Sequence, residues 1–231
     1  MKYDAVICDY GNTLVWYYTL DQWPAIREEC IAEVAAYLSS KGLFEGDAGS
    51  LAERVPSEER IDSGEHRVVP LEERLVRIFS LERAALEADV VPAMCRLFMQ
   101  PIFALARPHD DVLPTLNSLR ERGLRTGILS NTPWGSPAIL WREELDRHGL
   151  LSAVDAAVFC CDCGWRKPAR QPFDLILEKL GVTAGRSLFV GDDPRWDIAG
   201  PRAIGMEAVL IDRTGKNADA IHGLRELLDR L

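Results

Sequence analysis

Over the second half of the chain, short apolar runs alternate with segments whose apolar residues recur every three or four positions. The runs are "LRTGILS" (124–130), "DAAVFCC" (155–161), "RSLFVGDD" (186–193) and "MEAVLID" (206–212), each short enough for a buried strand. Near the start, "VICDYGNTLV" (6–15) opens with another such run. Helical patterns lie between them. "DDVLPTLNSLRERG" (110–123) has Asp110 or Asp111 as N-cap and Gly123 as its stop, and "PFDLILEKLG" (172–181) puts Phe173, Leu175, Ile176, Leu177 and Leu180 on or near one face ahead of Gly181. "WDIAGPRAIG" (196–205) reads as a helix interrupted near Pro201, and "NADAIHGLRELLDRL" (217–231) as a closing helix. Strands separated by helices predict an α/β protein with a mostly parallel sheet covered on both faces.

Residues 16–106 have a different pattern, with helical periods and little that resembles a strand. "DQWPAIREECIAEVAAYLSSKG" (21–42) and "LEERLVRIFSLERAALEADV" (71–90) are the clearest. The polar stretch between them, "GDAGSLAERVPSEERIDSGEHR" (46–67), reads as loop or a mobile helix. The spacing thus predicts a helical insertion at 16–106, mounted on a sheet domain formed by 1–15 and 107–231.

Composition narrows the choice of partner. The 231 residues are 47% hydrophobic, enough for one large core or a core with a modest appended domain. The formal charge is −9 with no basic stripe, which argues against nucleic acid. No stretch reaches the ~18 consecutive apolar residues of a membrane span, and Asp4 and Asp9 interrupt the N-terminal run, so a soluble, cytoplasmic protein is expected. Cys8, Cys30 and Cys95 sit singly in apolar segments as small hydrophobes. Cys160, Cys161 and Cys163 crowd together in "FCCDCGW", but no second Cys/His cluster completes a tetrahedral zinc site.

Ligands of open parallel sheets bind outside the carboxyl ends of the strands. Asp9 stands at the first such end, and Ser130 with Asn131 at the second. The third strand leads into "CGWRKP" with Lys167, and the fourth into "GDDPRWD" with Asp192, Asp193 and Asp197. Singly these are ordinary turn and capping residues. Together they would bring a carboxylate nucleophile, a hydroxyl, an ammonium and an acidic cluster to one pocket.

These four signals, in this order, resemble the motifs of the haloacid dehalogenase superfamily over nearly the whole chain. "CDYGNTL" is similar to the D-x-D-x-T loop, and Ser130 and Lys167 within "RKP" occupy the second and third positions. "GDDPRWDIAGPRAIGM" is the fourth and most specific, and the insertion resembles a helical cap. The resemblance implies a Rossmann-like doubly wound core on which Asp9 attacks the phosphorus of a small phosphorylated molecule, forming an aspartyl-phosphate that water hydrolyses. It further implies Mg2+, held by Asp9, the carbonyl of Gly11 and Asp192, with Asp193 as a candidate further ligand. Lys167 would steady Asp9, while Ser130 and the backbone near Asn131 would donate to phosphate oxygens. Asp197, and Asp193 where it is not a ligand, would stand behind this set, orienting waters or Lys167.

One position departs from the pattern. Phosphatases of the superfamily usually carry a second Asp where this chain has Gly11, to protonate the leaving oxygen, and glycine cannot do so. An easier leaving group, an acid from the cap or substrate, or slow turnover would each accommodate the change. Dehalogenases also lack that Asp because halide leaves without a proton, but they do not use magnesium and do not carry the full acidic fourth motif. The alternatives are therefore a 2-haloacid-dehalogenase-type hydrolase or a weakly active phosphate-binding protein. In "VWYYTLDQWP" (15–24), Trp16, Tyr17, Tyr18 and Trp23 either pack the cap on the sheet or line the pocket, with Trp16 as a candidate substrate contact.

Overall fold

A computed structural model describes residues 2–46, 51, 54–59 and 66–231. Five parallel strands form the sheet: β1 (Ala5–Cys8), β4 (Arg125–Ser130), β5 (Ala156–Phe159), β6 (Ser187–Gly191) and β7 (Glu207–Leu210), in the spatial order β5-β4-β1-β6-β7. Ala5 pairs with Arg125 on one side and Ser187 on the other, so β1 is central. All four of its residues are buried, which explains a continuous apolar run in place of alternation. From β1 the chain builds outward through β4 and β5, then crosses back to β6 and β7. The reversal of strand order therefore falls at β1, where a crevice opens above the carboxyl ends.

Helices cover both faces. On one, α8 (Arg170–Leu180) lays Phe173, Ile176, Leu177 and Leu180 against Ala5, Ile7, Leu129, Val158 and Phe189. On the other, α5 (Val112–Glu121) buries Val112, Leu116 and Leu119 in a core shared with Val6, Cys8 and Ile128. Asp111 occupies the N-cap position of α5, yet its side chain does not cap that helix. The carboxylate instead accepts from Arg213 at 2.8 and 2.9 Å and from the Leu224 N–H at 2.6 Å, tying the C-terminal segment down. That segment differs from the expected closing helix, because only Leu224–Asp229 form a short 3-10 turn. The Asp212 carboxylate accepts the N–H groups of Thr214, Lys216 and Asn217, and the Asp212 and Ile221 N–H groups bond to Ile221 O and Leu210 O. Local side-chain bonds and a return to the sheet thus take the backbone groups a helix would need.

Between the first two sheet strands lie α1 (Trp23–Ser40), α2 (Arg54–Glu59), α3 (Leu71–Ile78) and α4 (Val90–Ala104). α1 packs on α4 through Ile26, Cys30, Val34 and Leu38, the one-sided spacing that the sequence displays. The chain leaves and re-enters the sheet domain side by side, since β2 (Val15–Trp16) pairs antiparallel with β3 (Arg107–Pro108). Of the polar stretch 46–67 expected as loop or mobile helix, residues 47–50, 52, 53 and 60–65 lie outside the described residues. Its C-terminal end is fastened to the sheet domain: Val68 N–H donates to Gly164 O at 3.0 Å, and Arg166 N–H to His66 O at 2.8 Å. Among the described residues no helix is long and apolar enough to cross a membrane.

Candidate active site

The strand ends set the site. Asp9 extends β1 by one residue, its N–H donating to Val190 O at 2.8 Å, and its carboxylate rises into the crevice, buried. The chain then turns tightly, with the Leu14 and Val15 N–H groups both reaching Tyr10 O and Asn12 in a left-handed conformation (φ 59°). Asparagine tolerates that conformation better than most residues. Gly11 adopts no positive φ, and a methyl group built on it would meet nothing within 4 Å among the described residues other than its chain neighbours.

Lys167 is fully buried between two acids. Its Nζ donates to Asp9 Oδ1 at 2.5 Å and to Asp197 Oδ1 at 2.6 Å. Burial alone would push this ammonium's pKa down, but the charges of Asp197 and Asp9 outweigh it and hold the pKa above its ordinary value. Asn131 fixes the lysine's backbone, accepting from Lys167 N–H at 2.8 Å and donating from its amide to Lys167 O at 3.2 Å. Asp197 approaches this closely because Gly191 has no side chain: a Cβ there would lie 2.4 Å from the Asp197 carboxyl carbon. The second oxygen of Asp197 accepts the Asp193 N–H at 3.1 Å.

Asp192 faces Asp9 across the crevice, its Oδ1 accepting from Thr13 Oγ1 at 3.2 Å. Asp9, Asp192 and Asp197 each bring one oxygen to within 4.8 Å of the others. Three carboxylates share one buried ammonium, so acid outnumbers base among these four side chains. Burial, then Asp9 and Asp197, push Asp192 up to about 7. Asp197 is pushed up to about 6 by burial, with Lys167 opposing. An all-oxygen donor set with surplus negative charge suits a hard divalent cation.

Ser130 ends β4, buried, its Oγ donating to Asn131 O at 3.2 Å. Asp9, Gly11, Asn131, Asp192 and Asp193 line the same cavity of about 470 Å3 together with Ser130 and Lys167. Trp16 is 37% exposed on β2 and does not line the cavity; the neighbouring Tyr17 and Tyr18 do. Asp193 touches the cavity, but its Oδ1 accepts the Arg195 and Trp196 N–H groups at 2.7 and 3.0 Å, capping the π-helical turn Pro194–Ala199. It is not among the three acids whose oxygens converge. Two contributors were not singled out from sequence. Thr13 stood in plain view as the threonine of the first motif, whereas Trp196 carried no signal beyond its place after "GDDPR".

These features are those of a family. Residues 3–205 match the haloacid dehalogenase-like hydrolases, and the chain belongs to that family. It is similar to a phosphatase of Mycobacterium tuberculosis, 34% identical over 118 residues, or 51% of this chain and 52% of that one. In three dimensions it resembles a HAD phosphatase from Thermococcus onnurineus (TM-score 0.66, 25% identity, 98% of this chain and 97% of that one). A 2-haloacid dehalogenase from Pseudomonas syringae matches as well (TM-score 0.67, 25% identity, 98% and 97%). The chain spans about half the length of the curated relatives it matches.

Proposed function

We propose that this protein is a Mg2+-dependent phosphatase acting on a small phosphorylated molecule, with Asp9 as nucleophile. The convergence of Asp9, Asp192 and Asp197 around a single lysine carries the reading. Asp9, Asp192 and the Gly11 carbonyl would hold the cation, while Asp197 is committed through both oxygens to Lys167 and the Asp193 N–H. The cation, when bound, would screen the repulsion between the Asp9 carboxylate and an incoming phosphate. Asp9 is held by Lys167 through one oxygen, which leaves the other to attack phosphorus. Ser130 Oγ would turn from Asn131 O to a phosphate oxygen, and Lys167 would offset charge on the transferring group. The insertion at 16–106 would act as a cap that excludes water from the crevice.

Dehalogenation is the alternative, favoured by Gly11 and by the dehalogenase likeness. The surplus charge beside Asp9 weighs against it, because an anionic haloacid would add to that charge with no cation present. The test is release of phosphate from acetyl phosphate and p-nitrophenyl phosphate with Mg2+ and with EDTA, alongside 2-chloropropionate. Metal-dependent phosphate release that disappears in Asp9→Asn is expected. Halide release in EDTA would assign the site to dehalogenation, and phosphate binding without turnover would make the protein a binder.

A further inference from the structure

We infer that the substrate is an aryl phosphate, a monoester whose phosphate sits on a phenolic oxygen. This rests on the phosphatase reading above and extends it to the leaving group. Two independent observations lead there. The first is the wall of the cavity. Tyr18, Trp23, Trp134, Trp141 and Trp196 line it together with Ile102, above the Asp9 end. The rings arrive from separate segments: the turn after β2, the start of α1, the loop after β4, α6 (Ala138–Arg147) and the turn after β6. Several brace one another. Tyr18 stacks on Trp23 at 5.5 Å between centroids, Trp134 meets Trp23 edge-on at 6.1 Å, and Phe98 stacks beneath Trp134 at 5.3 Å. Such a wall is a surface for a flat apolar ring.

The second observation is the empty space at Gly11. Glycine has no side chain with which to protonate the departing oxygen, and among the described residues nothing beyond its chain neighbours comes within 4 Å of where a Cβ would stand. An alkoxide, whose conjugate acid has a pKa near that of water at ~16, needs such a proton to leave. A phenolate, with a pKa of about 10 for its acid, leaves without one. The steps balance. An Asp9 oxygen forms a bond to phosphorus as the P–O(aryl) bond breaks, and the electron pair departs on the phenolate, which takes its proton from solvent. Water then attacks phosphorus, the Asp9–phosphate bond breaks, and both protons of that water leave with the product as dihydrogen phosphate.

The test compares phenyl, 1-naphthyl and cyclohexyl phosphates with acetyl phosphate on the Mg2+-loaded protein. Cyclohexyl phosphate keeps the size of the phenyl ester but makes a poor leaving group. Aryl esters are expected to exceed it by at least about 10²-fold in kcat/KM, and kcat/KM across substituted phenyl phosphates should fall steeply as the phenol becomes less acidic. Gly11→Asp should raise cyclohexyl phosphate turnover by about 10²-fold and flatten that dependence. Trp23→Leu should raise KM for naphthyl phosphate about tenfold more than for acetyl phosphate. Equal rates on phenyl and cyclohexyl phosphates, or acetyl phosphate turnover with no aryl ester hydrolysed, would overturn the inference and leave the phosphatase reading standing. No phosphate released from any substrate would remove that reading itself.

Discussion

Replacing Gly191 by alanine probes how the buried lysine is held without altering any group that would touch phosphate. The added methyl would lie 2.4 Å from Asp197 Cγ and Oδ2 and 2.5 Å from Asp197 Cβ. Comfortable carbon contacts are ~3.5–4.0 Å, so at least one element must move by about 1 Å. Asp197 cannot swing away freely, because Oδ1 binds Lys167 at 2.6 Å and Oδ2 accepts from the Asp193 N–H at 3.1 Å. Nor can strand β6 recede easily, since the Gly191 carbonyl accepts from Ile211 N–H at 3.0 Å. Overpacking of this kind costs about 1–3 kcal/mol, and a displaced hydrogen bond to a charged group about 1.5–3 kcal/mol. The expected loss is therefore about 3–5 kcal/mol, measured by urea unfolding, with a fall in kcat because Lys167 loses one of its two carboxylates. Asp197→Gly in the same background should recover part of the lost stability, whereas Asp197→Ala should not, since the Asp197 Cβ itself is in the way. A Gly191→Ala protein within ~0.5 kcal/mol of the parent and fully active would refute the packing argument.

Asp192 at about 7 and Asp197 at about 6 also fix a pH dependence. Both are raised above the ~3.9 of an unfolded aspartate, so between about pH 4 and 7 the folded protein keeps protons the unfolded chain has lost, and stability falls as pH rises. The Tm in EDTA should decline through that window relative to the Tm in Mg2+, which would hold both groups ionised; parallel profiles would contradict the assignment. Asp192→Asn should shrink the EDTA slope and abolish Mg2+ uptake in a calorimeter. Gly135 has φ +65°, and a Cβ there would sit 2.4 Å from the Val69 carbonyl oxygen, where the loop after β4 meets the insertion. Gly135→Ala should cost about 2–4 kcal/mol by urea unfolding, and a neutral result would mean that this contact is not tightly packed.

The sequence alone determined the strands, most of the helices over them, the strand ends at which Asp9, Ser130 and Asp192 stand, and the loop beyond the third strand that carries Lys167. Each of these is written in local period: Phe173, Ile176, Leu177 and Leu180 recur at helical spacing, and Val6–Cys8 is too uniformly apolar to face water. The tertiary structure decided which side chains face the cavity. Trp16 ends β2 exposed, whereas Tyr17 and Tyr18, just beyond that strand, both line the cavity. Asp193 and Asp197 are chemically alike, but the turn between them aims one at its own N–H groups and the other, through the gap left by Gly191, at Lys167. The C-terminal segment has helical spacing, yet Asp212 and the edge of the sheet claim its backbone. Periodicity records how often a residue is buried; where its side chain points depends on partners that only folding brings near.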